Sequence, residues 1–257
     1  MKLWTINTHS LLENDYEQKL TDFVDAVIQE KPDIIAMQEV NQPHTSDNVT
    51  INEDNHAYRA AKLLEERGIQ YYWKWLPVKI GYGKYDEGLA IMSLSPITDT
   101  DEFLISNSDD YSNWKTRKIL GIKTLNNDDW FYTVHMGWWN DGEEPFEKHW
   151  QRLCAHMENK GTVWLMGDFN SRADVRKEGY DLVRKSKFED TYMISDKKDD
   201  GFTVEKAIDG WKESDNEKMR LDYIFCNKKP GVQSSTVIFN GVNYPIISDH
   251  YGVSVIV

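Results

Sequence analysis

Cysteine is nearly missing: Cys154 and Cys226 are the only two in 257 residues. A disulfide framework is therefore excluded, and both residues sit in apolar patterns that read as reduced core. No apolar run is long enough to cross a bilayer. The start, Met1-Lys2-Leu3-Trp4-Thr5-Ile6-Asn7, turns polar too early for a secretory leader, so the cytoplasm is the expected address. Internal repeats, Pro/Ser-rich linkers and compositional breaks are also lacking, and one domain over residues 1–257 is expected. Positive charge is short as well. Lys and Arg number 30 against 43 Asp and Glu, and the net charge of −13 repels polyanions at long range. That disfavours an obligate nucleic-acid binder, although a metal site needs acids of its own and a local basic patch can survive in an acidic protein.

What the chain does have is aromatic residues, 12% of the total with 10 Trp, which together with its length is ample for a packed core. Lys2 to Asn7 reads as a first strand. Tyr16, Leu20, Phe23 and Val27 share one face of a helix from about Asp15 to Glu30, with Asn14 as its cap and Pro32 beyond its end. Asp33 to Gln38 is a short apolar strand running into Glu39. A polar loop from Asn41 to Asn52 follows, and Thr50 with Glu53 reads as a capping box for a helix ending at Arg67-Gly68. Strand-like runs then cover Tyr71–Ile80, Leu89–Leu94, Arg117–Leu125 and Trp130–Met136. Helical spacing returns over Glu143–Lys160 and near Ala173–Lys185. Charged loops lie at Ser195–Gly201 and Lys212–Lys218, and strands at Leu221–Cys226, Ser235–Phe239 and Tyr251–Val257 finish the chain. Several consecutive strands have no helix between them, which favours an α+β fold with two mixed sheets packed together and helices outside.

The stretch around which the rest is organised is Thr162-Val163-Trp164-Leu165-Met166-Gly167-Asp168-Phe169-Asn170. It reads as a buried strand ended by Gly167. Asp168 and Asn170, two apart, project to the same side: a carboxylate that can orient a water, and an amide that can donate to a charged oxygen. Alone, the pair reads equally as a cap or Asx-turn. Other strand ends carry similar groups: Asn7, Gln38-Glu39, His135, Asp222, and Ser248-Asp249-His250 before the last strand. The set is rich in oxygen donors, has no cysteine cluster and no nucleophile elbow, and suits Mg²⁺ or Mn²⁺ better than Zn²⁺. Two histidines remain for proton transfer or charge stabilisation.

The ordered series Asn7, Gln38-Glu39, Glu87-Gly88-Leu89-Ala90-Ile91, Arg117, His135, Gly167-Asp168-Phe169-Asn170, Asp222 and Ser248-Asp249-His250 resembles the endonuclease/exonuclease/phosphatase superfamily. That group includes DNase I-like nucleases, AP endonucleases, neutral sphingomyelinases and inositol phosphatases. The resemblance spans residues 7 to 250 and implies a four-layer α/β sandwich with a Mg²⁺ site. It implies Glu39 as principal metal ligand, supported by Asn7 and Asp249. His250, held by Asp222, would activate or orient a water together with Asp168. Asn170 and His135 would stabilise charge on phosphorus, with Glu87 fixing His135 and Arg117 contacting phosphate. Mg²⁺ is the implied cofactor, with Mn²⁺ an alternative. Two departures weaken a nuclease reading: Val40-Asn41-Gln42 follow Glu39 where nucleases of this type often carry a basic residue, and His9 lies where some relatives carry an acid.

Beside these positions stand Asn113-Trp114-Lys115, His135-Met136-Gly137-Trp138-Trp139 and Glu143-Glu144-Pro145-Phe146. Aromatic faces with short polar groups are equipment for gripping sugars; the competing readings are packing under a loop and a lipid interface. The strings resemble the branch of maltose 6'-phosphate phosphatases, which implies a Mg²⁺-dependent phosphomonoesterase acting on a small phosphosugar, with Trp114, Trp138 and Trp139 near the sugar. The alternative is a metal-dependent phosphodiesterase, nuclease-like or sphingomyelinase-like. Neither a nucleic-acid nor a membrane partner is expected. His44, His56, His149 and His156 are expected to lie outside the site.

Overall fold

Runs that are apolar on both sides of the pleat need cover on both faces, and the computed structural model supplies it in four layers. It describes residues 1–46, 48–205, 208, 211 and 217–257. Most of the expected charged loop Lys212–Lys218, and one residue of the loop Asn41–Asn52, lie outside the described residues.

The strands in chain order are β1 (Lys2–Asn7), β2 (Ile34–Pro43), β3 (Tyr72–Gly81), β4 (Tyr85–Ser93), β5 (Ile97–Leu104), β6 (Lys118–Thr124), β7 (Asn127–His135), β8 (Val163–Asp168), β9 (Glu189–Asp190), β10 (Lys197–Lys198), β11 (Asp222–Cys226), β12 (Ser234–Ile238) and β13 (Gly252–Ile256). The helices are α1 (Tyr16–Glu30), α2 (His56–Glu66), α3 (Phe146–Met157), α4 (Gly179–Lys185) and the single turn α5 (Thr191–Ile194). One mixed sheet has the order β10-β12-β13-β1-β2-β4-β3 and the other β5-β6-β7-β8-β11-β9.

Alternation along β1 explains the layers. Leu3 joins Ala36, Ile91, Leu120, Met166, Ile224 and Val255 between the sheets, whereas Trp4 and Ile6 face outward against Phe23 and Val27 of α1. On the far side, Tyr132, Val134 and Leu165 pack under Phe146 and Trp150 of α3. Each such side chain contributes roughly 1.5–3 kcal/mol of burial. Among the described residues no helix is long and apolar enough to cross a membrane. Both cysteines are free thiols.

Several boundaries differ from the sequence reading. Asp15, not Asn14, precedes α1, in a left-handed conformation and without a side-chain cap. Asn55 caps α2 by accepting from Ala57 N and Tyr58 N, so the Thr50/Glu53 box does not form; both residues lie upstream of the first helical turn. β2 runs on to Pro43 and takes the start of the expected loop into the sheet. β5 went unseen because Asp99, Asp101 and Glu102 dominate it. It is an edge strand, where Asp99 and Glu102 face solvent and discourage further pairing, while Asp101 accepts from Tyr132 and Lys160.

Candidate active site

Strand direction brings the scattered polar residues together. β1 runs parallel to β2, and β7 to β8, so Asn7, Glu39, His135 and Asp168 reach the same end of the sandwich. β11 is antiparallel to β8 and sets Asp222 opposite Asp168. β13 is antiparallel to β1, so Asp249 and His250, just ahead of it, arrive beside Asn7. β4 runs against β2 and sets Glu87 opposite Asn41.

Glu39 enters the cleft through an irregularity. The β2–β4 ladder slips between Met37 and Val40, and Glu39 has a φ of +51°. A bulge of this kind re-aims a side chain, here freeing Glu39 from the ladder while Gln38 turns between the sheets to donate to Thr133 Oγ1 at 2.8 Å. A left-handed non-glycine residue costs of order 1–3 kcal/mol and persists where its surroundings fix it. Here Ser10 and Thr8 hydroxyls donate to Glu39 O at 2.7 and 3.1 Å.

The floor of the cleft is a chain of short separations. Asn7 Nδ2 donates to Glu39 Oε1 at 2.8 Å and to Asp168 Oδ2 at 3.3 Å. His135 Nε2 lies 3.6 Å from Asp168 Oδ2 and 4.0 Å from Glu39 Oε1. His250 Nδ1 meets Asp222 Oδ2 at 2.9 Å, which leaves Nε2 3.9 Å from Asp168 Oδ2. Asn170, at φ +46°, has its Nδ2 on Met136 O at 3.0 Å, and its backbone N–H donates to Asp168 Oδ1 at 2.8 Å. Asp249 is the outermost member, with its N–H on Glu13 Oε1 and its carboxylate 3.9 Å from His9 Nδ1.

Burial and like charge set the protonation states. Burial, with Glu87 and Asp249 nearby, pushes Glu39 up to about 7. Burial also raises Asp168, opposed by the His250 charge. His250 is itself penalised by burial, but the carboxylates of Asp222 and Asp168 outweigh this and hold it well above the ordinary histidine value. Burial, then Arg117 and Lys79, drive His135 well below that value, so it is a neutral donor. His9, despite burial, is raised to about 9 by Glu13, Asp249 and Glu39.

Two expectations need correction. Glu87 does not fix His135: its partner is Lys79, with Nζ 3.1 Å from Oε1, and no hydrogen bond joins it to the histidine. Trp139 turns away from the cleft and packs on Phe146 at 6.3 Å, because α3 begins directly behind it. Trp114 and Trp138 do line the cleft, as a tilted pair 5.6 Å apart, with Trp114 52% exposed. Arg117 is buried on the same wall. Its Nη1 donates to the carbonyls of Trp114 and Thr116 at 3.0 and 3.1 Å, and its Nε has no protein partner. Lys79 was missed; the signal was a lysine inside a strand pattern, at the slip beside Pro77 on edge strand β3. The cleft that these residues enclose has a volume of about 740 Å³.

The model of the endonuclease/exonuclease/phosphatase family matches residues 4–250. The chain belongs to that family. By membership of the endonuclease/exonuclease/phosphatase family it is a metal-dependent hydrolase of phosphoesters. An endonuclease/exonuclease/phosphatase family protein from Leptotrichia buccalis is 36% identical, with a TM-score of 0.90, over 100% of this chain and 98% of that one. The fold is shared with a mannosyl-6-phosphatase from Bacteroides thetaiotaomicron, at 18% identity and TM-score 0.69 over 100% and 98% of the two chains. It is also shared with a Neisseria 3' phosphatase bound to product DNA hairpin, at 18% identity and TM-score 0.65 over 100% and 98%. No curated protein matches the sequence.

Proposed function

We propose that the chain is a Mg²⁺-dependent phosphomonoesterase that removes phosphate from a small sugar phosphate, maltose 6'-phosphate by the resemblance of its tryptophan strings, acting as one domain in the cytoplasm. The observation that carries this reading is the asymmetry of the cleft. One side is a floor of carboxylates, histidines and amides; the other is the exposed Trp114 against the partly buried Trp138, with Arg117 and Lys79 beside them. Volumes of about 300–1,000 Å³ suit small molecules, and the 740 Å³ cleft falls among them.

A divalent ion fits the donor set. Glu39 is a partly buried carboxylate crowded by Glu87 and Asp249, an anionic excess that a hard cation would relieve. Glu39 would hold it, with Asp249 and, if its amide is turned, the Asn7 oxygen. When bound, Mg²⁺ neutralises phosphoryl oxygens. The protein's own groups divide the rest. Arg117 and Lys79 bring positive charge to the phosphate. Neutral His135 donates one hydrogen bond to a phosphoryl oxygen, and the second N–H of the Asn170 amide offers another. Asp168 is the proton acceptor that orients the attacking water. His250, kept protonated by Asp222, faces the same oxygen from the other side. The phosphorus–oxygen bond to the sugar breaks as the water oxygen bonds to phosphorus and its proton passes to Asp168; the sugar alkoxide that leaves takes a proton from solvent water, and Asp168 returns its own to solvent.

The test is phosphate release from maltose 6'-phosphate, glucose 6-phosphate and a nucleotide monophosphate, each with and without Mg²⁺. Metal-dependent release from the sugar phosphates is expected. Inactivity on all three, with cleavage of bis(p-nitrophenyl) phosphate, would transfer the same floor to a phosphodiesterase.

A further inference from the structure

The hairpin that joins β3 to β4 carries an aromatic residue where the backbone disfavours one. Lys84 N–H donates to Gly81 O at 3.1 Å and closes a turn whose central residues, Tyr82 and Gly83, have φ of +53° and +68°. Positive φ at both positions normally selects Asn, Asp or Gly, because a bulky side chain there strains the backbone. Strain of this kind persists where the surroundings fix it, and it clusters at ligand sites. Core packing does not account for the tyrosine, which is 49% exposed.

Its position does. Tyr82 lines the catalytic cleft. Its ring stands at 68° to that of His9, with 6.2 Å between centroids, and His9 Nδ1 lies 3.9 Å from the carboxylate of Asp249. Trp114 lines the same cleft from the loop ahead of β6, in the other sheet. Among the described residues of the lining, these two carry the exposed aromatic rings. Their supports are tied to each other. Ile80 N–H donates to Tyr111 O at 2.7 Å, and Asp86 Oδ1 accepts from the Tyr111 hydroxyl at 2.9 Å and from His44 Nδ1 at 2.7 Å. Asp86 is buried, so the hairpin and the Trp114 loop share an anchor, and their aromatic residues are held in place before a ligand arrives.

Aromatic faces take a flat apolar surface, either the C–H face of a pyranose or the face of an arene. Charge on the floor and exposed rings from both sheets match a phosphoester whose alcohol bears a ring. We propose that Tyr82 is a specificity-determining residue that, with Trp114, grips the ring of the leaving alcohol while the phosphate sits on the floor. The inference rests on phosphoester hydrolysis in this cleft and not on the ring being a sugar.

The experiment compares glucose 6-phosphate with glycerol 3-phosphate, both monoesters of a primary alcohol but only one with a ring, on the wild type, Tyr82→Asn, Tyr82→Phe and Trp114→Ala. The wild type is expected to favour glucose 6-phosphate in kcat/KM by about tenfold or more. Tyr82→Asn and Trp114→Ala each cut that ratio about threefold or more, through the glucose 6-phosphate KM, and Tyr82→Phe, which keeps the ring, retains it. Asparagine accepts a left-handed backbone, so the Tm of Tyr82→Asn does not fall. No wild-type preference, or a ratio that survives either ring-removing substitution, overturns the clamp. So does a lower Tm in Tyr82→Asn with equal losses on both substrates, which would make the tyrosine a support for the hairpin and His9. If the wild type hydrolyses neither monoester, the sugar-phosphate reading falls, and the same variants are read on bis(p-nitrophenyl) phosphate, whose leaving group is an arene. A raised KM in Tyr82→Asn and Trp114→Ala then keeps the clamp, and an unchanged KM, or inactivity on all three substrates, overturns it as well.

Discussion

Glu39 occupies an uncomfortable position: a partly buried carboxylate on a left-handed residue, facing other acids. Such a residue lowers the stability of the metal-free protein in exchange for function. Glu39→Gln is expected to raise the metal-free Tm, to abolish the Tm increase that Mg²⁺ gives the wild type, and to cut kcat/KM at least about 100-fold. Scanning calorimetry with and without Mg²⁺ checks the first two. His250 gives a second prediction at this scale. Its raised value comes against burial from Asp222 and Asp168, so Asp222→Asn should lower its titration midpoint, readable from the imidazole ¹H shifts. The sign for stability follows. A histidine raised in the folded state contributes fully below its unfolded value of about 6.5 and loses that contribution as pH climbs through the folded value. The stability gap between wild type and Asp222→Asn should therefore be widest in acid and close toward alkaline pH. These polar residues were legible in the sequence because each ends or begins an apolar run. The Lys79–Glu87 pair was not, since a lysine in a strand looks the same whether or not it faces a cavity.

At the level of elements, β8 is the strand whose backbone is most tightly constrained. Gly167 has a φ of +151°, and a Cβ there would come 2.0 Å from Val134 O on β7. No side chain can yield to a backbone carbonyl, so Gly167→Ala should cost on the order of 3 kcal/mol, measured by urea unfolding. The expected strand order of chemistry, Gly-Asp-Phe-Asn at the end of an apolar run, survived in the structure because burial on both faces forces that run to be extended. Helix ends fared worse. Capping depends on which single residue leaves the helix in extended geometry, and the segment from Thr50 to Asn55 holds several residues able to do so. The bulge at Glu39 was equally hidden: one extra residue in a strand changes no periodicity until the partner strand is known.

On the scale of the whole molecule, the site belongs to neither sheet. Asn7 and Glu39 come from one, His135, Asp168 and Asp222 from the other, and the Gln38–Thr133 hydrogen bond ties them just below the floor. Separations near 3–4 Å across that joint demand close docking of the two sheets. Hydrolysis should thus fail at lower urea than the fluorescence of the buried tryptophans, and coincident midpoints would contradict this account. The acidic surface acts at the same scale: with a net charge of −13, activity on a small phosphosugar should change little with salt, whereas any DNA association should be weak throughout.

The partition between sheets has a practical sequel. The chain first passes from one sheet to the other at residues 94–96, between β4 and β5, a half-buried connection with no site residue in it. Severed there, the amino-terminal piece keeps Asn7, His9, Glu39, Lys79 and Glu87, and the remainder keeps Arg117, His135, Asp168, Asp222, Asp249 and His250. Each fragment alone should be silent, and phosphoester hydrolysis would then be a direct report of their reunion: a split sensor whose output is the assembled floor itself.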